Sequence, residues 1–205
     1  MIVTQIENNI EQAYRKSGNA LGWRFLYSPR SVLEKATVAF IGLNPGGSSE
    51  NPDHGDFDMI SGSAYALEDW GKSSKLQVQV LTLFERLNVS PDEVLAGNLV
   101  PFRSKSWDEL EGKAEALRFG KSLWSQILDH ARPRMIVSMG QVTNEAVCQI
   151  LRVQNSHSMP IGWGHCKGHR GEHGGGIWVG LPHLSRFTIM NRAASQQPLD
   201  ELFRT

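Results

Sequence analysis

Residues 35–47 read KATVAFIGLNPGG: an apolar run from Val38 to Ile41 that stops at Gly42 and leaves through asparagine, proline and two glycines. A short apolar run without alternation, bounded by turn residues, is the pattern of a strand buried on both faces, as parallel sheets covered by helices require. The segments around it extend that reading. Residues 4–16 form a modest amphipathic helix. The stretch from Gly46 to about Ser73 is a loop rich in Gly, Ser, Asn and Asp, and loops longer than about 15 residues within a domain are usually functional or disordered. A helix follows, with Leu76, Val80, Leu83, Phe84 and Leu87 on one face.

A second apolar run, Val94–Val100, is interrupted by Asn98 and closed by Pro101. The next segment, about residues 104–130, predicts one long helix. Ser106 and Glu109 stand in capping-box spacing, and Leu110, Ala114, Leu117, Trp124, Ile127 and Leu128 turn inward. Met135–Met139 is a third strand, residues 141–153 a helix with Ala146, Val147, Ile150 and Leu151 inward, and GIWVGL at 176–181 a fourth strand. A last helix starts near Pro198. This alternation predicts a three-layer αβα fold with a central, mainly parallel four-stranded sheet, in a single domain over residues 1–205. In such folds ligands bind beyond the carboxyl ends of the strands.

Composition narrows the function. Lys plus Arg equals Asp plus Glu at 21 each, so there is no global positive charge, and any nucleic-acid contact must use a local patch. The basic residues gather late, at Arg132, Arg134, Lys167, His169, Arg170, Arg186 and Arg192. Two cysteines are too few for a disulfide framework or a four-cysteine cluster. No apolar run approaches a membrane span and the polar start is unlike a signal peptide, so a cytoplasmic protein without membrane contact is expected.

Three polar residues fall at strand ends: Asn44, Asn98 and His183. Asn44 reads either as a turn residue or as an amide aimed into a cleft. An amide such as Asn98 presents donor and acceptor together, as reading the edge of a base requires. His183 can donate to a developing anion, and Ser185 and Arg186 beside it suit phosphate. GLNPGG lacks the lysine of a nucleotide P-loop and does not fit the dinucleotide fingerprint.

These residues together resemble the uracil-DNA glycosylase superfamily, near its mismatch-specific and single-strand-selective branches. Residues 42–46 (GLNPG) are similar to the first motif, NPDHGDF to the segment ending in the base-stacking phenylalanine, GNLVPF to the strand bearing the base-reading asparagine, and HLSRF to the second motif, with Leu184 where that motif carries proline. The resemblance spans roughly residues 37–190. It implies a monofunctional DNA glycosylase of base excision repair that flips a uracil or related modified base out of DNA and hydrolyses its N-glycosidic bond with water. Asn44 and His183 would be catalytic, the first positioning water and the second stabilising the leaving base. Gly42, Leu43, Phe57 and Asn98 would contact the base, with Phe57 stacking on it. Ser185, Arg186 and Phe187 would contact DNA, Phe187 as a wedge or as core packing. No cofactor is implied, the partner is DNA containing uracil or another modified base, and a monomer is expected.

The segment HCKGHRGEH offers His165, Cys166, His169 and His173, but its spacing fits no standard zinc pattern. It reads as a mobile turn, a basic loop touching nucleic acid, and no metal site is assigned. The competing functional readings are a noncatalytic nucleobase- or nucleic-acid-binding protein of the same fold and a metal-binding regulatory domain.

Overall fold

The computed structural model describes residues 2–71 and 74–204. The chain opens with α1 (Ile2–Arg15), whose buried positions Ile6, Ile10 and Tyr14 recur every fourth residue. The Tyr14 hydroxyl accepts the Gly22 N–H at 2.9 Å and so ties this helix to β1 (Trp23–Arg24). A single turn, α2 (Val32–Lys35), leads into β2 (Val38–Gly42), which is buried throughout. The long loop after it is partly ordered by β3 (Gly55–Asp56), paired in parallel with β1, and by α3 (Ala64–Leu67). Lys72 and Ser73, at the loop's expected end, lie outside the described residues.

The helix α4 (Lys75–Arg86), capped by Ser74, precedes β4 (Leu95–Asn98). The long helix expected from about residue 104 is shorter: α5 spans Lys113–Ala131. Ser106 and Glu109 do bond each other at 3.0 Å, but they close only a separate 3₁₀ turn over Trp107–Glu109. Gly112, at φ +59°, then breaks the path, so Ala114 is exposed while Ala116 and Gly120 face inward. Strand β5 (Met135–Met139) and helix α6 (Gln141–Leu151) follow the expected bounds closely, and α6 buries Ala146 and Val147 with Ile150 and Leu151 half-covered.

The sheet has six strands rather than four. After α6 the chain forms β6 (Gln154–Pro160), β7 (Lys167–His173) and β8 (Gly176–Leu181), then α7 (Gln196–Phe203). The order is β4-β2-β5-β8-β7-β6, with the first four strands parallel and the last two antiparallel. The segment expected to be a mobile turn is therefore largely a hairpin. Its side chains are mostly polar, β6 is almost wholly exposed, and two inward positions are glycines. A Cβ at Gly168 would fall 2.4 Å from Leu202 Cδ1, and one at Gly171 2.2 Å from Val153 Cγ1. Main-chain pairing, not side-chain burial, builds these strands.

Successive residues of β2 alternate between two cores. Ala39 and Ile41 join Phe25, Leu95, Trp124, Ile136 and Val147 beneath α1, α5 and α6. Phe40 joins Tyr65, Val80, Phe84, Val137, Val179 and Leu199 beneath α3, α4 and α7. Helices thus cover both faces, and the carboxyl ends of four parallel strands share one edge. No helix among the described residues is long and apolar enough to cross a membrane.

Candidate functional site

The pairing of β2 with β4 sets Gly42 opposite Asn98 at that edge. Asn98 is 6% exposed, and its Oδ1 lies only 2.7 Å from where a Cβ on Gly42 would stand, with Met139 Cε 3.8 Å away. No hydrogen bond of ordinary geometry reaches its buried Nδ2 among the described residues, although the Tyr27 hydroxyl lies near enough for this amide to act on the Tyr27 pKa, lowering it. An unpaired buried donor costs about 1–3 kcal/mol, so this amide, with at most a weak contact to Tyr27, is free to turn to an incoming acceptor. Its backbone is firmly held: Trp124 Nε1 donates to the Asn98 carbonyl at 2.8 Å. Beyond the strands, Leu99 N–H donates to Gly42 and Val100 N–H to Leu43, which fixes half-buried Leu43 through its main chain.

Beside Asn98 lies Tyr27, positioned by its own N–H donating to Ala96. Its ring stacks on Tyr65 at 5.3 Å, and the Arg24 guanidinium sits 4.4 Å from its centroid. Burial raises the Tyr27 pKa against the opposing charge of Arg24, so the phenol stays protonated at neutral pH. Arg24, itself almost buried, pairs with both Glu68 oxygens at 2.9 and 2.6 Å, and Trp70 Nε1 donates to the same carboxylate. Burial works against the Glu68 charge, but these hydrogen bonds outweigh it and hold the pKa below the ordinary value. Sequence reasoning passed over Arg24 and Tyr27. The signal was a charged residue inside the aromatic run WRFLY, which makes sense only if a partner arrives from elsewhere.

Asn44 is half-buried, and its amide is engaged. Nδ2 donates to Ser104 Oγ at 2.7 Å and to the Pro45 carbonyl at 3.2 Å, while Ser104 Oγ donates on to Ser106. The loop after β2 is thereby stapled to residues 104–106. The Asn44 Oδ1 has no protein partner among the described residues, so an acceptor remains. Gly46 has open space around its Cβ position, whereas Gly47 is close to Arg103.

His183 is half-buried, with Cδ2 3.6 Å from the Cβ position of Gly140 at the end of β5. Met139 and Gly140 thus link the Asn98 and His183 sides of the edge. Ser185 Oγ lies 2.8 Å from His183 Nδ1, and the Ser185 N–H donates to the same nitrogen at 3.4 Å. A backbone N–H can only donate, so Nδ1 is the acceptor and the neutral ring carries its proton on Nε2. Burial, followed by the charge of Arg186, lowers the His183 pKa, so the ring is neutral at pH 7. Ser185, expected on phosphate, contacts His183 through both its hydroxyl and its N–H. Leu184 is fully buried, which anchors the turn.

A cavity of about 600 Å³ opens beside His183, with Gly140, Arg186, Phe187 and Trp178 among its lining residues. It brings together His183, Arg186 and Phe187 but includes none of Gly42, Leu43, Asn44, Phe57 and Asn98. Arg186 is exposed, and Phe187 is half-buried edge-on to Trp163. Phe57 is 4% exposed and packs on Phe25 at 5.6 Å, in the core on the other face of the sheet from Asn98. Of the histidine-rich segment, His169 stacks on Trp178 at 6.3 Å, and no three metal-ligating side chains among the described residues gather around one point.

The fold and these strand ends define an α/β protein with polar groups collected at the carboxyl edge of a parallel sheet. No protein-family model matches the chain, and no curated protein matches it in sequence.

Proposed function

We propose that the protein hydrolyses the N-glycosidic bond of uracil or a related damaged base in DNA, by base flipping, with water as nucleophile. The observation that carries this reading is the amide of Asn98, buried at a strand end against a glycine with no hydrogen bond of ordinary geometry on its Nδ2. A flipped base whose carbonyl accepts from Asn98 Nδ2 relieves the cost of that orphaned donor, and a base presenting an amino group there does not. The leaving base becomes an anion as the bond breaks, and the Nε2–H of neutral His183 is a donor suited to it; one such donor contributes about 3–4 kcal/mol to barrier lowering. Asn44 has no useful proton affinity, so its free Oδ1 orients water rather than deprotonating it. Stacking of the base on Phe57 would require that ring to leave Phe25; the side chain next to Asn98 is Tyr27, which offers its hydroxyl.

The experiment is release of free base from single-stranded and duplex oligonucleotides carrying uracil or other deaminated and oxidised bases. Release that disappears in Asn98→Ala and His183→Ala, with folding intact, is the expected result. The engagement of the Asn44 amide by Ser104 favours a second reading, a nucleobase-binding protein in which Asn44 is only a turn residue. Binding that survives these changes, with no base released from any substrate, selects that reading.

A further inference from the structure

The segment that carries Tyr27 runs antiparallel to β4: Leu26 bridges Gly97, and the Tyr27 N–H donates to the Ala96 carbonyl at 2.8 Å. Ala96 and Asn98 lie on one face of that strand, and Tyr27, Ala96 and Met139 share the core on that face. The ring is gripped there from several sides. It stacks on Tyr65 at 5.3 Å, carries the Arg24 guanidinium 4.4 Å from its centroid and meets Trp70 edge-on at 5.8 Å. The Tyr27 carbonyl accepts the Ala64 N–H at 2.8 Å, so the backbone is pinned as well. With the ring so enclosed, what Tyr27 presents to Asn98 is its hydroxyl. Asn98 acts on that hydroxyl as a donor, and an amide nitrogen has no acceptor role. The Tyr27 oxygen therefore receives from Nδ2 and has its own proton left to give.

The strand end thus sets two donors side by side, the second Nδ2 proton and the phenol O–H. A carbonyl oxygen, with two lone pairs, accepts from both, whereas an amino group brings protons against protons. We infer that Tyr27 is a second specificity-determining residue: its hydroxyl donates to the carbonyl at position 4 of uracil, the one Asn98 reads, and so helps to reject the amino group that cytosine carries there. The inference rests on the proposed function for placing a base at Asn98. The Arg24 cation over the ring makes the phenol a stronger donor, while burial keeps it protonated at neutral pH. Two donors reject a base without that acceptor more strongly than one does, because both are then left unpaired.

The test reads binding by fluorescence anisotropy on a short labelled single strand with one central 2′-fluoro-2′-deoxyuridine, whose fluorine blocks cleavage. Two further strands carry at that position the 2′-fluoro nucleotide of cytosine or of 2-pyrimidinone, which lacks any group at position 4. Wild-type protein should bind the uracil strand at least about tenfold more tightly than either. Tyr27→Phe keeps the ring against Tyr65 and Arg24 and removes only the hydroxyl. It should weaken the uracil strand about tenfold, the scale of one lost hydrogen bond, and leave the other two within about twofold. A loss shared equally by all three strands marks structural damage and overturns the proposal, as does a folded Tyr27→Phe protein that binds the uracil strand within about twofold of wild type. Wild-type protein that binds the uracil and pyrimidinone strands alike overturns it with no variant needed. Absence of base release from uracil-containing DNA, with this pattern of binding intact, would instead count against the glycosylase reading alone.

Discussion

The contact between Gly42 and Asn98 makes a sharp demand on one residue. An alanine at 42 would place a methyl 2.7 Å from Asn98 Oδ1 and 3.8 Å from Met139 Cε. We predict that Gly42→Ala costs about 1–3 kcal/mol in denaturant unfolding, the usual range for overpacking. Base release should fall about 10²-fold, because an ångström of displacement misaligns the amide. Gly46→Ala, four residues on with nothing near its Cβ position, should leave stability within about 0.5 kcal/mol and activity unchanged. His183 carries a second prediction. Protonation at Nδ1 would remove the acceptor through which Ser185 orients the ring, and the pKa is lowered, so in the proposed reaction single-turnover rates should be flat above neutrality and fall only as the pH drops below about 6.5, the ordinary imidazole value. Arg186→Gln removes one of the two causes and should move the acid limb upward; a limb that stays in place would show that the Arg186 charge does not act on this ring.

At the scale of elements, the position of Asn98 is set by how closely α5 approaches the exit of β4. A Cβ at Gly120 would stand 2.2 Å from the Leu99 carbonyl, and Trp124 bonds the Asn98 carbonyl from the same helix. Gly120→Ala should push α5 away, with a loss of about 1–3 kcal/mol. Trp124→Phe should cost a similar amount by leaving a buried carbonyl unpaired, and both losses are measurable as shifts in urea midpoint at unchanged slope. The α5 register was legible in the sequence at Trp124, Ile127 and Leu128, because burial follows the 3.6-residue period. Its start was not, because Ser106 and Glu109 satisfy each other in a separate turn and Gly112 redirects the chain. The strands β6 and β7 were unreadable for a related reason: hydropathy reports burial, and these strands bury little. Asn98 could be read as an amide breaking a buried run, whereas Arg24 and Tyr27 acquire meaning only through Glu68 and β4, distant in sequence.

For the whole molecule, net neutrality conceals a partition of charge. In the loop after β2, the carboxylates of Asp56 and Asp58 are paired: Arg30 holds Asp58 at 2.9 Å, and Arg103 and His54 contact Asp56. In the cavity beside His183, Lys167 and Arg186 form no ion pair among the described residues, and the Glu145 carboxylate that also lines it accepts from Gln141 at 2.9 Å. Titration should expose a second global property. His169, His173 and His183 all have lowered pKa values, in each case chiefly through burial. The unfolded chain therefore takes up protons near pH 6.5 that the folded protein resists, so stability is full above that pH and is lost as the pH falls through the folded values. Glu68 and Asp92, also lowered, add a separate loss only in the ordinary carboxylate range and below. We predict a urea midpoint that declines in two stages on acidification, the first beginning near pH 6.5. His169→Gln combined with His173→Gln should flatten the first stage, leaving the part due to His183, and leave the second intact. A midpoint that holds steady from pH 7 to about pH 5 would show that burial of these rings does not discriminate between their charge states.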